Sequence, residues 1–293
     1  MPFTDSRLLR CFSMSWRKRA TIILLLLSAN AVAGEGYVLG GGVEGDTQDG
    51  LAVSVIGEFG LAEQTWLSAA LARNTAESAF RQNLDTWFAD LGIDHWWKPV
   101  GMRAGLAYWG DNDTLESTDL RASIYWRDDK FSIAADYEYR DFSILFPPTE
   151  QFPGRKAGFS ANGVGLSTRF EVTDSVSLGL SGIDYDYDVN LKLDSNRPLL
   201  QLLSFSRLSL VNSLVDYRAT ASLGVDVGKS SWQFDASTWK GEVDGARTKS
   251  ATIRFLNPMG DRTDIEFALG VDDSELYGDV TFFSVFVFFY GLN

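Results

Sequence analysis

Cysteine and histidine are almost absent from this chain, which has one of each, Cys11 and His95. One cysteine excludes a disulfide scaffold and any cysteine-based metal cluster. One histidine leaves His-rich metal sites and most His-dependent triads without material. Positive charge is also scarce, with 26 Lys plus Arg against 39 Asp plus Glu and a formal net charge of −13. That balance argues against a nucleic-acid partner, which needs a basic face to displace counterions. No stretch after residue 34 gives a convincing helical period, 198–214 coming nearest. The 293 residues allow one or two domains, and an all-β barrel can use the whole length as one. The mean hydropathy of −0.07 suggests a soluble protein.

The N-terminal segment departs from that impression. Arg17-Lys18-Arg19 precedes the apolar run Ala20 to Ser28, and Ala31-Val32-Ala33 follows as a small-x-small cleavage pattern. Residues 1–33 are therefore expected to be a secretory signal peptide, and 34–293 a single domain. The apolar run is too short to span a membrane, for which about 20 residues are needed. Met14 gives a more ordinary start than Met1. Removing 1–33 leaves 21 basic against 38 acidic residues, a net −17, and no cysteine. No cysteine stands at the cleavage point, which excludes lipoprotein anchoring. A secreted chain of this size without a disulfide needs another source of constraint.

Alternation of period two runs through the rest. Trp87, Ala89, Leu91, Ile93 and Trp97 oppose Thr86, Asp90, Gly92 and Asp94. Val100, Met102, Ala104, Leu106 and Tyr108 oppose Arg103, Gly105 and Ala107. Similar segments number fourteen, near 36–44, 50–59, 65–73, 83–97, 100–110, 117–127, 130–142, 160–170, 175–188, 212–227, 231–240, 247–256, 263–271 and 278–290. Their connections alternate between short turns and mostly longer, more acidic loops, the largest at 143–159 and 189–211. The six prolines beyond residue 34 fall in connections, as a ladder without free edges requires. Parity breaks once: Val176, Leu178 and Leu180 are apolar on one face, whereas Ile183, Tyr185 and Tyr187 continue on the other. Two explanations stand, a β-bulge at Ser181-Gly182 or departure of the strand from the membrane.

Soluble β proteins alternate too, but here the apolar faces carry almost no charge, and barrel closure would supply the missing constraint. Eight tryptophans beyond residue 34 lie near segment ends, as interfacial girdles require, although parity turns Trp66, Trp96, Trp109 and Trp239 inward. The expected fold is all-β, a transmembrane antiparallel up-and-down barrel of about 14 strands, with 12–16 compatible.

Over residues 35–293 this organisation resembles the porin-type outer-membrane β-barrels of Gram-negative bacteria. The resemblance is architectural and points to no particular family. It implies a cell outer-membrane location, contact with membrane lipid and lipopolysaccharide, and insertion by the barrel-assembly machinery through the C-terminal strand. That strand, Thr281 to Tyr290, is aromatic as in those barrels, but Gly291-Leu292-Asn293 follows it. Both its faces are apolar, so parity assigns it no lumen side. A monomer is favoured.

The inferred lumen face carries Arg103, Arg121, Arg127, Arg140, Arg169, Arg218 and Arg254. The facing acids are Asp90, Asp94, Asp136, Glu138, Asp216, Asp226, Asp235, Asp264 and Glu266. Opposed rows of Arg and carboxylate around a wet passage would tune selectivity as in a channel. Asp184, Asp186 and Asp188 form an acidic ladder at the outer end of a strand and could funnel cations into a mouth or bind a divalent ion. No EF-hand spacing is present, and neither cofactor nor metal is expected. An outer-membrane hydrolase would need its histidine at the outer rim, whereas His95 sits at a short turn on the lipid-facing parity; no enzyme is expected. The sequence thus favours a porin-like diffusion channel for small polar solutes with mild cation preference. Alternatives are a closed structural or accessory barrel in envelope or surface-polymer assembly and, less favoured, a lipid hydrolase.

Overall fold

A computed structural model describes residues 36–77, 83–111, 115–146, 155–189, 214–276 and 278–291. The N-terminal segment read as a signal, and 198–213 of the near-helical stretch, lie outside them. Fourteen strands are present among the described residues. In chain order they are β1 (Gly36–Asp46), β2 (Leu51–Ala62), β3 (Thr65–Glu77), β4 (Asn83–Trp97), β5 (Val100–Gly110), β6 (Leu115–Arg127) and β7 (Phe131–Phe146). There follow β8 (Arg155–Thr173), β9 (Val176–Tyr187), β10 (Val215–Val227), β11 (Ser230–Gly241), β12 (Arg247–Pro258), β13 (Thr263–Ser274) and β14 (Gly278–Gly291). Each pairs antiparallel with its neighbours in sequence, and β14 returns to β1, closing the barrel. No strand edge is left to pair with another chain, which is how a disulfide-free sheet of this size is constrained.

Several strands run on beyond the alternating segments, β3 to Glu77 and β8 from Arg155 to Thr173 among them, and two of the differences change a connection. The β7–β8 ladder runs on to Phe146 opposite Arg155, so 147–154 connect them instead of 143–159. Pro258 is the last residue of β12, opposite Asp264, rather than part of a turn; a strand end tolerates its missing N–H.

The outer surface is a belt of apolar side chains. Ile124 is 58% exposed, Val164 67% and Leu180 63%, and Val55, Leu91, Leu106, Phe234, Phe267 and Phe283 continue the belt around the barrel. An exposed apolar surface this continuous suits lipid and not water. The inward positions of β4, β5, β6 and β8 at the level of this belt are mostly Arg, Asp, Ser and Gly.

Toward the rim that carries the long loops this polarity inverts. On β9 the outward residues beyond Gly182 are Asp184 and Asp186, with Asp188 just past the strand, while Ile183, Tyr185 and Tyr187 point in. The β9 register shows no shift at Ser181-Gly182 on either side, so there is no bulge there. The strand has simply left the apolar belt, beyond which the outside is wet and the inside dry. The same exchange occurs on β7, where exposed Asp141 neighbours Phe142, whose exposure is 0%. Inward residues of β5 to β10 form a core at this end: Trp109, Leu115, Phe142, Phe159, Ala161, Tyr185, Val215, joined by Leu214 and Val243 from the loops. Phe142 and Phe159 stack at 4.8 Å, with Trp109 edge-on to Phe142 at 5.9 Å.

On the opposite arc, β14 presents Phe282, Ser284, Phe286, Phe288 and Tyr290 to the lumen, because its even positions pair with the inward residues of β1 and β13. The Phe286 and Phe288 rings lie across Gly42 and Gly40 of β1, where no Cβ holds them off the backbone. Large aromatics thereby line the wall without filling the lumen.

Candidate lumenal site

All ten lumen candidates point inward: Asp90, Asp94, Arg103, Arg121, Asp136, Glu138, Arg140, Arg169, Arg218 and Arg254. They are not arranged as opposed rows. Each ion pair joins side chains on the same arc of wall: Arg103 and Asp94 are direct cross-strand partners, Arg254 and Asp235 diagonal ones, Arg169 and Glu171 lie two residues apart on β8, and Arg121 crosses β5 over Gly105 to Asp90. Arg121 pairs with Asp90. Arg103 Nε meets Asp94 Oδ2 at 2.5 Å, and Tyr125 donates its hydroxyl to Asp94 Oδ1 at 2.6 Å. Arg169 reaches Glu171 at 2.7 Å, and Arg254 reaches Asp235 at 2.7 Å. The guanidinium of Arg218 lies 5.7 Å from the Trp239 ring centre, and that of Arg127 lies 4.5 Å from Trp96.

Arg140 is the most enclosed of these cations, its side chain 13% exposed. Its Nε is 2.9 Å from Glu138 and 4.0 Å from Asp119, and it donates to the Tyr185 hydroxyl at 2.9 Å. Tyr185 in turn donates to Glu138 at 2.8 Å. This network lies directly beneath the apolar core. Tyr187, beyond the outer belt, donates to the Val215 carbonyl at 2.9 Å, and burial pushes its phenol up from its ordinary value.

Asp216 departs from the expected lumen set. The β10 register shifts between Val215 and Tyr217, and Asp216 pairs with Lys240, which stands on the outward parity of β11. The ladder Asp184, Asp186 and Asp188, expected at the mouth, stands at the long-loop end on the outer wall of β9. Among the described residues no three His, Cys, Asp or Glu converge to hold a metal ion. His95 faces outward at the short-turn rim, its Nδ1 2.7 Å from the Thr65 hydroxyl and its ring edge-on to Trp97 at 4.3 Å.

Inward residues that alternation left unassigned include Glu58, Asp119, Glu171 and the β14 aromatics. Glu58 was masked because Ile56 and Phe59 make both faces of β2 apolar. Ser284, the one polar residue between Phe282 and Phe289, was the signal that could have oriented β14. Five inward acids, Glu58, Asp136, Asp226, Asp264 and Glu266, meet no guanidinium within ion-pair distance among the described residues. Ser167 donates to Asp136 at 3.2 Å and Tyr290 to Asp264 at 2.9 Å.

Two cavities open in the lumen toward the short turns. The larger, about 770 Å³, reaches from Glu63 and Gln64 in the β2–β3 turn up to Glu138, Ile183 and Arg218. Its space comes from inward positions held by Gly92, Gly105, Ser68 and Ser123. The smaller, about 400 Å³, lies against β8 to β13, with Arg169, Ser177, Ser222, Asp226, Arg254 and Glu266 in its wall.

No protein-family model and no curated protein matches this chain. Among solved structures, the CymD monoaromatic hydrocarbon channel aligns over 90% of this chain and 90% of its own, with 7% identity and a TM-score of 0.53. A loop-deletion mutant of OmpT, an outer membrane protein of Vibrio cholerae, covers 88% of this chain and 100% of its own at 8% identity and TM-score 0.48. The KdgM porin covers 86% and 98% at 10% identity and TM-score 0.44. This chain therefore shares a fold, the closed antiparallel β-barrel, with the CymD channel at TM-score 0.53.

Proposed function

We propose that this chain is an outer-membrane diffusion channel for small polar solutes with a mild preference for cations. The carrying observation is a cavity-bearing lumen whose carboxylates outnumber its guanidiniums, inside a barrel with an apolar outer belt. Arg103, Arg121, Arg140, Arg169 and Arg254 are paired with carboxylates of the wall, so the field of Glu58, Asp136, Asp226, Asp264 and Glu266 is opposed only in part, by Arg127 and Arg218. Fixed negative charge in a confined aqueous path raises the local cation concentration.

Planar-bilayer recording of the refolded protein tests the reading. Conductance above background with a cation-directed reversal potential in a salt gradient is expected; a folded barrel that passes no current would sink the channel. Glu58→Gln, Asp264→Asn and Glu266→Gln together should move the reversal potential toward zero. Asp184→Asn, Asp186→Asn and Asp188→Asn together should leave it unchanged, because those carboxylates face away from the lumen. A large shift from that second set would reassign the selectivity to the outer wall.

The apolar core at the long-loop end favours a second reading, a closed structural or accessory barrel. If the core is the seal, Phe142→Ala with Phe159→Ala should turn a silent barrel into a conducting one.

A further inference from the structure

We propose that the larger lumenal cavity binds a neutral hydroxylated ring, of the monosaccharide to disaccharide class, on Trp66. The proposal deepens the channel reading and rests on it for access of solute to the lumen. At about 770 Å³ the cavity is of ligand size. Trp66 points into it and is 37% exposed. Its neighbour Trp96 is capped by Arg127 at 4.5 Å and Lys98 at 5.7 Å, whereas among the described residues no ring or cation covers Trp66.

The cross-strand partner of Trp66 is Asp94, and the partner of Asp94 is Arg103. A flat aromatic face thus stands one strand from a carboxylate–guanidinium pair whose Arg side chain is 58% exposed. Nearby, Ser123 Oγ and Arg121 Nε have no hydrogen-bond partner among the described residues. The C–H face of a pyranose would lie on the indole, while adjacent hydroxyls donate to Asp94 and accept from Arg103. The same arrangement selects against other classes. A charged solute would have to break a compensated pair, and a wholly apolar ring would desolvate the pair without replacing its water.

The test is saturation-transfer NMR in detergent micelles on the folded barrel, with cellobiose as probe and sodium glutamate and toluene as comparators. Saturable cellobiose binding is expected, with glutamate and toluene giving none. Trp66→Ala should weaken it roughly tenfold or more, and Trp66→Phe should keep part of it. Asp94→Asn should weaken it as well, by the loss of a charged acceptor. No saturable cellobiose binding, or binding that Trp66→Ala leaves intact, overturns the site. Stronger binding of glutamate or toluene than of cellobiose overturns the ligand class. Because equilibrium binding needs no current, a barrel that binds cellobiose without conducting retains the site and loses only the channel.

Discussion

Arg140→Leu is expected to destabilise the barrel by about 3–5 kcal/mol, the usual cost of leaving a buried charge uncompensated. The guanidinium is held by Glu138, Asp119 and the Tyr185 hydroxyl, with the Tyr185 ring 4.5 Å away. Removing it leaves two carboxylates facing each other under an apolar core that admits little water. The measurement is urea unfolding in micelles, followed by tryptophan fluorescence and by heat-dependent gel mobility. Adding Glu138→Gln and Asp119→Asn to Arg140→Leu should return much of the loss, since a neutral set in that place carries no unpaired charge. An Arg140→Leu barrel with an unchanged unfolding midpoint would show that the network is not a stabilising centre.

Gly40→Ala and Gly42→Ala are expected to differ in a way that only the β1–β14 seam explains. A Cβ on Gly40 would sit 2.8 Å from the Phe288 ring and 2.9 Å from the Ile56 side chain, and only side chains are in its way. A Cβ on Gly42 would sit 2.5 Å from the Phe286 ring and 2.6 Å from the Val285 carbonyl oxygen, which is backbone. Gly40→Ala should therefore cost about 1–3 kcal/mol, as overpacking does, and Phe288→Ala in the same chain should recover part of it. Gly42→Ala should cost more, and Phe286→Ala should not rescue it, because the carbonyl remains. Folded yield after refolding reads both. Equal rescue at the two positions would show that the rings alone decide the packing of the seam.

Strand count and the facing of β4 to β7 were legible in the sequence because one face there meets lipid and the other water. Leu120, Ile124 and Trp126 against Arg121 and Arg127 show that contrast without help from structure. It fails where a strand faces apolar surroundings on both sides. β14 packs its inward phenylalanines over β1 glycines and its outward ones toward lipid, and β2 buries Ile56 inward beside an apolar outer face. It also fails where the surroundings invert. The run Ile183 to Asp188 looked like a defect in alternation, yet the backbone is regular and only the solvent on each side has changed. That inversion puts the acidic ladder, expected at the mouth, on the outer wall of the rim, and the shift in β10 turns Asp216 away. Pairing was illegible for another reason: parity places a side chain inside without saying which neighbour it meets. Arg103–Asp94 emerges only from the cross-strand register, and Arg121–Asp90 only from the gap that Gly105 leaves between their strands.

The dry end of the barrel also has a thermodynamic consequence. Apolar belt residues exchange one oily environment for another when lipid is replaced by detergent, so their contribution changes little in heat capacity. Phe142, Leu115, Phe159 and their neighbours instead go from a dry interior to water when the rim opens, which carries a positive heat-capacity change. Cooling therefore loosens the rim while leaving the belt almost untouched. One continuous sheet thus holds one region that responds to temperature and one that scarcely does, and on β9 the boundary between them lies between Gly182 and Asp184.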